Sequence, residues 1–191
     1  MAAGLQGDAG VLVDRDGTLI RDVGYLSRLE QMEFLPRVPE AIRLLGRHGF
    51  KIAVVTNQSG VGRGLLNEEE LERIHRELEN RLAAAGARVD RIYYCPHHPT
   101  EAFGGYRIAC DCRKPDIGLA RRAAAELSLD LTRCYVVGDQ PTDMELAARI
   151  GARGIWLQNQ RPQRAIAGAS LVAPDLWEAA HWIVEDFAAR R

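Results

Sequence analysis

Short, continuous apolar runs alternate along the chain with stretches in which apolar residues recur every three or four positions. The runs are Gly10–Asp14 (GVLVD), Lys51–Thr56 (KIAVVT), Arg91–Tyr94, Cys134–Val137 (CYVV) and Gly154–Leu157 (GIWL). Runs this short, apolar throughout rather than alternating, predict strands buried on both faces. Between them the period changes to that of a helix. Glu40–His48 is predicted helical, with Pro39 at its start and Gly49 just past its end. Asn67 caps a longer helix whose first turn, Glu68, Glu69 and Glu70, suits the positive end of the helix dipole. Its apolar stripe is Leu71, Ile74, Leu78 and Leu82. Further helices are predicted from an Asp116 cap through Leu127, over Glu145–Ile150, and over Asp175–Ala189 with Leu176, Ile183 and Phe187 inward. Strand and helix in strict alternation predict an α/β fold: a central parallel sheet of five strands between two helical layers. Ligands of such folds sit beyond the carboxyl ends of the strands, and Asp14, Thr56, Cys95 and Asp139 all lie at or just past such ends.

Those ends carry the candidate chemistry. Asp14 and Asp16 flank Arg15 and precede Gly17 and Thr18, while Asp139 and Asp143 follow the fourth strand. Carboxylates crowded at one sheet edge repel unless a cation holds them, and hard oxygen donors of this kind suit Mg2+ together with a substrate phosphate. One such aspartate is ordinary turn chemistry; the joint pattern is not. Thr56, Asn57, Gln58 and Ser59 follow the second strand and offer a hydroxyl and backbone N–H groups to phosphate oxygens. Arg113 and Lys114 precede Pro115, which is expected to start a helix. Lysine is otherwise confined to Lys51, so Lys114 stands out as a charge for a transferring phosphoryl group.

The stretch His97–Arg113 fits no element, and loops this long are functional or tied down. Cys95-Pro96-His97-His98 opens it and Cys110-Asp111-Cys112 closes it. A Cys-x-His pair facing a Cys-x-Cys pair suits a tetrahedral structural Zn2+ held by Cys95, His97, Cys110 and Cys112, with His98 as the competing fourth ligand. A Cys95–Cys110 disulfide is the rival reading, disfavoured in a reducing compartment. Cys134 lies in an apolar strand and is read as core.

Composition narrows the partners. The 191 residues are 47% hydrophobic and 27% charged with a net charge of −1, which counts against a nucleic-acid-coating protein. No apolar run approaches the length of a membrane span. The opening MAAGLQGDAG lacks the basic and apolar regions of a signal peptide. Residues 1–9 are therefore expected to be an unstructured lead to a single domain over 1–191, cytoplasmic and without a membrane partner.

In this order, Asp14-x-Asp16-Gly17-Thr18, Thr56-Asn57, Lys114 and Gly138-Asp139-x-x-x-Asp143 resemble the four motifs of the haloacid dehalogenase superfamily of phosphohydrolases. With the Cys95–Cys112 loop, residues 95–112, they are similar to a small subfamily of sugar-bisphosphate and histidinol-phosphate phosphatases. The resemblance implies a Rossmann-like, capless three-layer sandwich with a zinc-stabilised loop. It implies that Asp14 attacks phosphorus, that Asp16 protonates the leaving alkoxide, and that Asp14, the Asp16 carbonyl and Asp139 hold Mg2+, with Asp143 in support. Thr56 and Lys114 would bind the transferring phosphate, and Arg113 a distal one. Asn57, Gln58 and Ser59 would line the substrate site, with Asp22 and Tyr25 on its rim. The implied reaction is release of the 7-phosphate of a heptose 1,7-bisphosphate by a monomer, toward nucleotide-activated heptose; histidinol phosphate is the alternative substrate. A non-catalytic zinc module is the reading from another class, and Mg2+-dependent turnover discriminates the two. The chain departs from the family pattern at Gln140, where lysine is usual, and at Arg21-Asp22-Val23, where a His-bearing loop is usual.

Overall fold

The computed structural model describes residues 7–159 and 167–190. Among them one sheet holds β1 (Gly10–Val13), β2 (Lys51–Asn57), β3 (Arg91–Cys95), β4 (Tyr135–Gly138), β5 (Arg153–Leu157) and β6 (Ala169–Ala173). All pairings are parallel, in the order β3-β2-β1-β4-β5-β6. Successive side chains along a strand face opposite layers. Val11 and Val13 pack toward α1 (Val38–Arg47), α3 (Glu68–Ala84) and α6 (Leu176–Ala189). Leu12 packs toward α4 (Gly118–Leu127) and α5 (Pro141–Ile150). All three β1 side chains are fully buried, the signature of a central strand covered on both faces.

The sheet has one strand more than the pattern predicts. β6 is an edge strand paired only with β5, and only Ala173 of its five residues is buried, so it carries no continuous apolar run. Helix starts also differ. α5 begins at Pro141 rather than Glu145, because Gln140 and Asp143 form a reciprocal cap around a proline in the first turn. Ile117 precedes α4, so Asp116 is not its cap and Pro115 does not start it. The Asp116 carboxylate instead accepts from Arg149 at 2.6 Å. A short helix, α2 (Ser59–Gly62), follows β2. The Asn67 cap of α3 stands: Asn67 Oδ1 accepts from Glu70 N, and Glu70 Oε2 from Asn67 N, each at 2.8 Å.

Of the expected unstructured lead over 1–9, residues 1–6 lie outside the described residues. The remainder is docked rather than loose. Asp8 N donates to Ser128 O at 2.8 Å, Asp130 N donates to Asp8 O at 3.0 Å, and Ala9 is buried.

Candidate active site

The strand order brings the predicted residues into one row. Reading β3, β2, β1, β4 across the carboxyl edge gives Cys95, Thr56, Asp14 and Asp139. The chain leaves β1 toward β2 on one side and reaches β4 on the other, so a crevice opens at the centre of that row. Asp14 N donates to Val137 O at 2.9 Å, extending the β1–β4 pairing to the first aspartate.

Three carboxylates meet there. Oxygens of Asp14, Asp139 and Asp143 lie within 4.8 Å of one another, and all three residues are buried. Lys114 Nζ sits 2.9 Å from Asp14 Oδ1 and 2.6 Å from Asp143 Oδ1. Three buried carboxylates this close together offer the hard oxygen donors that a divalent, oxygen-seeking cation takes. The donor set therefore fits Mg2+. Gly17 closes over it with φ +74, and a Cβ at that position would lie 2.3 Å from Asp139 Oδ2. Only glycine permits that approach. Burial raises the Asp143 carboxyl to about 6, although the charge of Lys114 opposes it. Burial alone would lower the Lys114 ammonium, but the charges of Asp14 and Asp143 prevail and raise it.

Asp16 lies outside this cluster. Its carboxylate accepts from Arg15 Nε at 3.1 Å, from Arg15 NH2 at 2.9 and 3.0 Å, and from Gln58 Nε2 at 2.7 Å. Burial raises its pKa against the pull of Arg15, and the Asp14 charge adds to the rise. A cavity of about 540 Å³ is lined by Asp14, Asp16, Asp22, Tyr25, Thr56, Asn57, Ser59, Arg113 and Lys114. Gln58, expected among them, is not. It is buried behind the wall, where its amide satisfies Arg15, Asp16 and Thr56. Asn57 clamps the opposite loop in both directions, Nδ2 to Lys114 O at 3.1 Å and Lys114 N to Oδ1 at 2.9 Å. The cavity also takes in Arg63, which lies outside the motifs, and Gln140 and Thr142, which occupy variable positions of the Gly138–Asp143 motif. Arg63 pairs with Glu101 and lies over the Tyr25 ring. Gln140 Nε2 reaches Asp139 Oδ2 at 3.3 Å.

The cysteine loop forms a second centre. Cys112 Sγ lies 3.1 Å from Cys95 Sγ, 3.2 Å from Cys110 Sγ and 3.2 Å from His97 Nδ1. Cys95 Sγ is 3.5 Å from Cys110 Sγ and 3.7 Å from His97 Nδ1. Zn–S bonds of about 2.3 Å set tetrahedral edges of about 3.8 Å. The observed edges approach that, and the four cysteines are unbridged. The donors fit zinc. His98 is turned away, its Nδ1 accepting from Glu101 N at 3.0 Å. Burial raises the Cys95 thiol and takes Cys112 to about 11, while contacts from Cys112 and Cys95 outweigh burial at Cys110 and lower it. Zinc loading must therefore displace protons. Cys134 is buried core, its Sγ against Asp130 O at 3.2 Å.

This loop is tied to the catalytic side. Gly62 N donates to Pro96 O and Phe103 N to Gly62 O, at 3.2 and 2.7 Å. Tyr94 and Tyr106 both donate to Glu68 of α3, at 2.8 and 2.7 Å. Arg113 follows Cys112 and donates from NH1 to His97 O at 3.1 Å, so the loop carries Arg113 to the cavity wall.

A doubly wound sheet with an Asp-x-Asp turn, a buried lysine and a paired acid loop at its switch point defines a phosphohydrolase of the haloacid dehalogenase class. The HAD-hydrolase-like family model matches residues 111–179. A D-glycero-beta-D-manno-heptose-1,7-bisphosphate 7-phosphatase of Photorhabdus laumondii is 41% identical over 150 residues, covering 78% of this chain and 80% of the relative. The enzyme of that name from Escherichia coli K12 is 36% identical over 180 residues, 93% and 89% of the two chains. The crystal structure of the D,D-heptose 1,7-bisphosphate phosphatase of B. bronchiseptica, complexed with magnesium and phosphate, superposes with a TM-score of 0.81 at 30% identity, covering 94% of this chain and 99% of that one. The chain belongs to the heptose-1,7-bisphosphate 7-phosphatase family of haloacid dehalogenase-like hydrolases. Among the described residues no helix is long and apolar enough to cross a membrane.

Proposed function

We propose that this chain removes the 7-phosphate of D-glycero-β-D-manno-heptose 1,7-bisphosphate, leaving the 1-phosphate for nucleotide-activated heptose synthesis. One observation carries the reading: Asp14 and Asp16 line a single cavity with Lys114 and the cations Arg113 and Arg63. That arrangement offers a phosphate site at each end of a small sugar.

Asp14 attacks phosphorus and forms an aspartyl-phosphate. Asp16 gives its proton to the departing sugar oxygen and afterwards takes one from the hydrolytic water. Thr56 and Lys114 bind the oxygens of the transferring phosphate. Gln58 Nε2 donates to Thr56 Oγ1 at 2.8 Å, which frees the Thr56 proton for a phosphate oxygen. Asn57 and Ser59 continue that wall, Asp22 and Tyr25 meet the sugar, and Arg113 takes the distal phosphate. Mg2+, held by Asp14, Asp139 and the Asp16 carbonyl, supplies charge neutralisation at the phosphoryl group when bound. Zn2+ on Cys95, His97, Cys110 and Cys112 keeps the Arg113 loop in shape. We take the protein to be a single capless domain over 1–191, acting as a monomer in the reducing cytoplasm, where the zinc thiolates survive.

The test is phosphate release from both anomers of heptose 1,7-bisphosphate, from fructose 1,6-bisphosphate and from histidinol phosphate. Each is run with Mg2+ and with EDTA, and Asp14→Asn serves as blank. The β-heptose bisphosphate should give the highest kcat/KM, with loss of turnover in EDTA. A preference for histidinol phosphate, or turnover indifferent to Mg2+, overturns the reading.

A further inference from the structure

Arg15 stands between the two aspartates of the first motif, yet it does not face the cavity. It is 1% exposed, one of the largest wholly buried side chains. Its Nε and NH2 embrace the carboxylate of its own neighbour, Asp16, and NH2 also donates to Gln58 Oε1 at 2.8 Å. The remaining nitrogen, NH1, lies 3.2 Å from Nε2 of His75, sixty residues away on α3. A guanidinium can only donate. His75 Nε2 must therefore present its lone pair, and the ring carries its proton on Nδ1. Burial and then the Arg15 charge push His75 down to about 3, consistent with a permanently neutral acceptor. The imidazole is 7% exposed and packed against Tyr94 at 5.5 Å between ring centres.

The far end of the Arg15 guanidinium is held from elsewhere in the chain, NH1 by His75 and NH2 by Gln58, while Nε and NH2 hold Asp16. Removing the His75 anchor leaves NH1 buried without an acceptor, and the guanidinium must turn to find one. We propose that His75 and Arg15 are positioning residues: His75 fixes the Arg15 fork, and the fork aims the Asp16 carboxyl at the leaving oxygen. The proposal rests on the reading of Asp16 as proton donor. Its consequence depends on the leaving group. A sugar alkoxide needs a well-aimed proton to depart, whereas a nitrophenolate departs without one.

The experiment compares kcat/KM for the heptose bisphosphate and for p-nitrophenyl phosphate at neutral pH and saturating Mg2+. This parameter reports the first phosphoryl transfer, before the water step. In His75→Leu the sugar-to-aryl ratio should fall about 10- to 100-fold. His75→Gln, whose amide oxygen accepts from NH1, should stay within about three-fold of wild type. Asp16→Asn is the reference and should lower the same ratio at least as far. Equal losses on both substrates in His75→Leu, or no recovery in His75→Gln, overturn the proposal while a selective Asp16→Asn leaves the proton-donor reading standing. Equal losses in Asp16→Asn overturn both. A measurement free of folding effects uses the wild-type protein. Side-chain nitrogen NMR should show His75 protonated at Nδ1 and bare at Nε2 from pH 5 to 8; a protonated Nε2 overturns the proposal.

Discussion

Replacing Lys114 by methionine keeps the volume of the side chain and removes its charge. Lys114 is 3% exposed and lies 2.9 and 2.6 Å from the carboxylates of Asp14 and Asp143. Removing one partner of a buried ion pair costs about 3–5 kcal/mol, because the other is left desolvated and unpaired. Unfolding entropy of about 2.1 cal/mol/K per residue gives about 0.4 kcal/mol/K for 191 residues. The expected fall in Tm is therefore about 7–12 °C in metal-free buffer. Asp143, already raised to about 6, relieves part of the strain by taking a proton, which places the result toward the lower end. Mg2+ restores positive charge to the same carboxylates, so the gap from wild type should narrow in millimolar Mg2+. Calorimetry of both proteins in EDTA and in Mg2+ measures each quantity. A Lys114→Met Tm within about 2 °C of wild type in EDTA would refute the account of Lys114 as the counter-charge of a buried acid cluster. Activity gives a parallel readout: if Lys114 binds the transferring phosphate as proposed, kcat should drop at least about 100-fold.

Purified wild type should carry about one zinc per chain, and Cys112→Ser less than about half, by elemental analysis under non-chelating conditions. The same variant should be cut faster by trypsin at Arg107; full zinc in Cys112→Ser contradicts the four-ligand centre. Gly17→Ala puts a Cβ 2.3 Å from the Asp139 carboxylate at φ +74, and should cost about 2–4 kcal/mol in urea denaturation and weaken Mg2+ binding. His75 has a folded pKa of about 3 against 6.5 when unfolded. The unfolded chain thus binds the extra proton between these values, and stability is full above pH 6.5 and falls as pH falls. From pH 7 to 5 wild type should lose about 2 kcal/mol more than His75→Gln, read from denaturant midpoints; parallel profiles would count against a neutral buried imidazole.

Much of the chemistry is written locally. Cys95, His97, Cys110 and Cys112 are legible as a group because a tetrahedral metal site dictates ligand type and spacing whatever surrounds it, and the fold brings the four donors together. Asp14, Thr56 and Asp139 are legible because buried strands are apolar runs, and polar residues at their ends have one place to go. The start of α5 at Pro141 was marked by ordinary capping chemistry around Gln140 and Asp143. β6 had no such mark, since an edge strand needs no apolar run.

Side-chain direction is another matter. Gln58 and Ser59 are neighbours in one motif, but the fold turns Ser59 to the cavity and Gln58 into the wall. Arg15 stands in the first motif between two acids of the site, and packing commits its side chain to Asp16. His75 interrupts the apolar stripe of α3 between Ile74 and Leu78, a visible irregularity whose partner is sixty residues away. The sequence alone therefore determined the five buried strands, the longer helices and which residues can hold metal or phosphate, because periodicity and ligand spacing act over a few residues. Only the tertiary structure decided which polar groups face substrate and which satisfy one another. That choice depends on pairing every buried donor and charge across distant segments, and no local pattern records it.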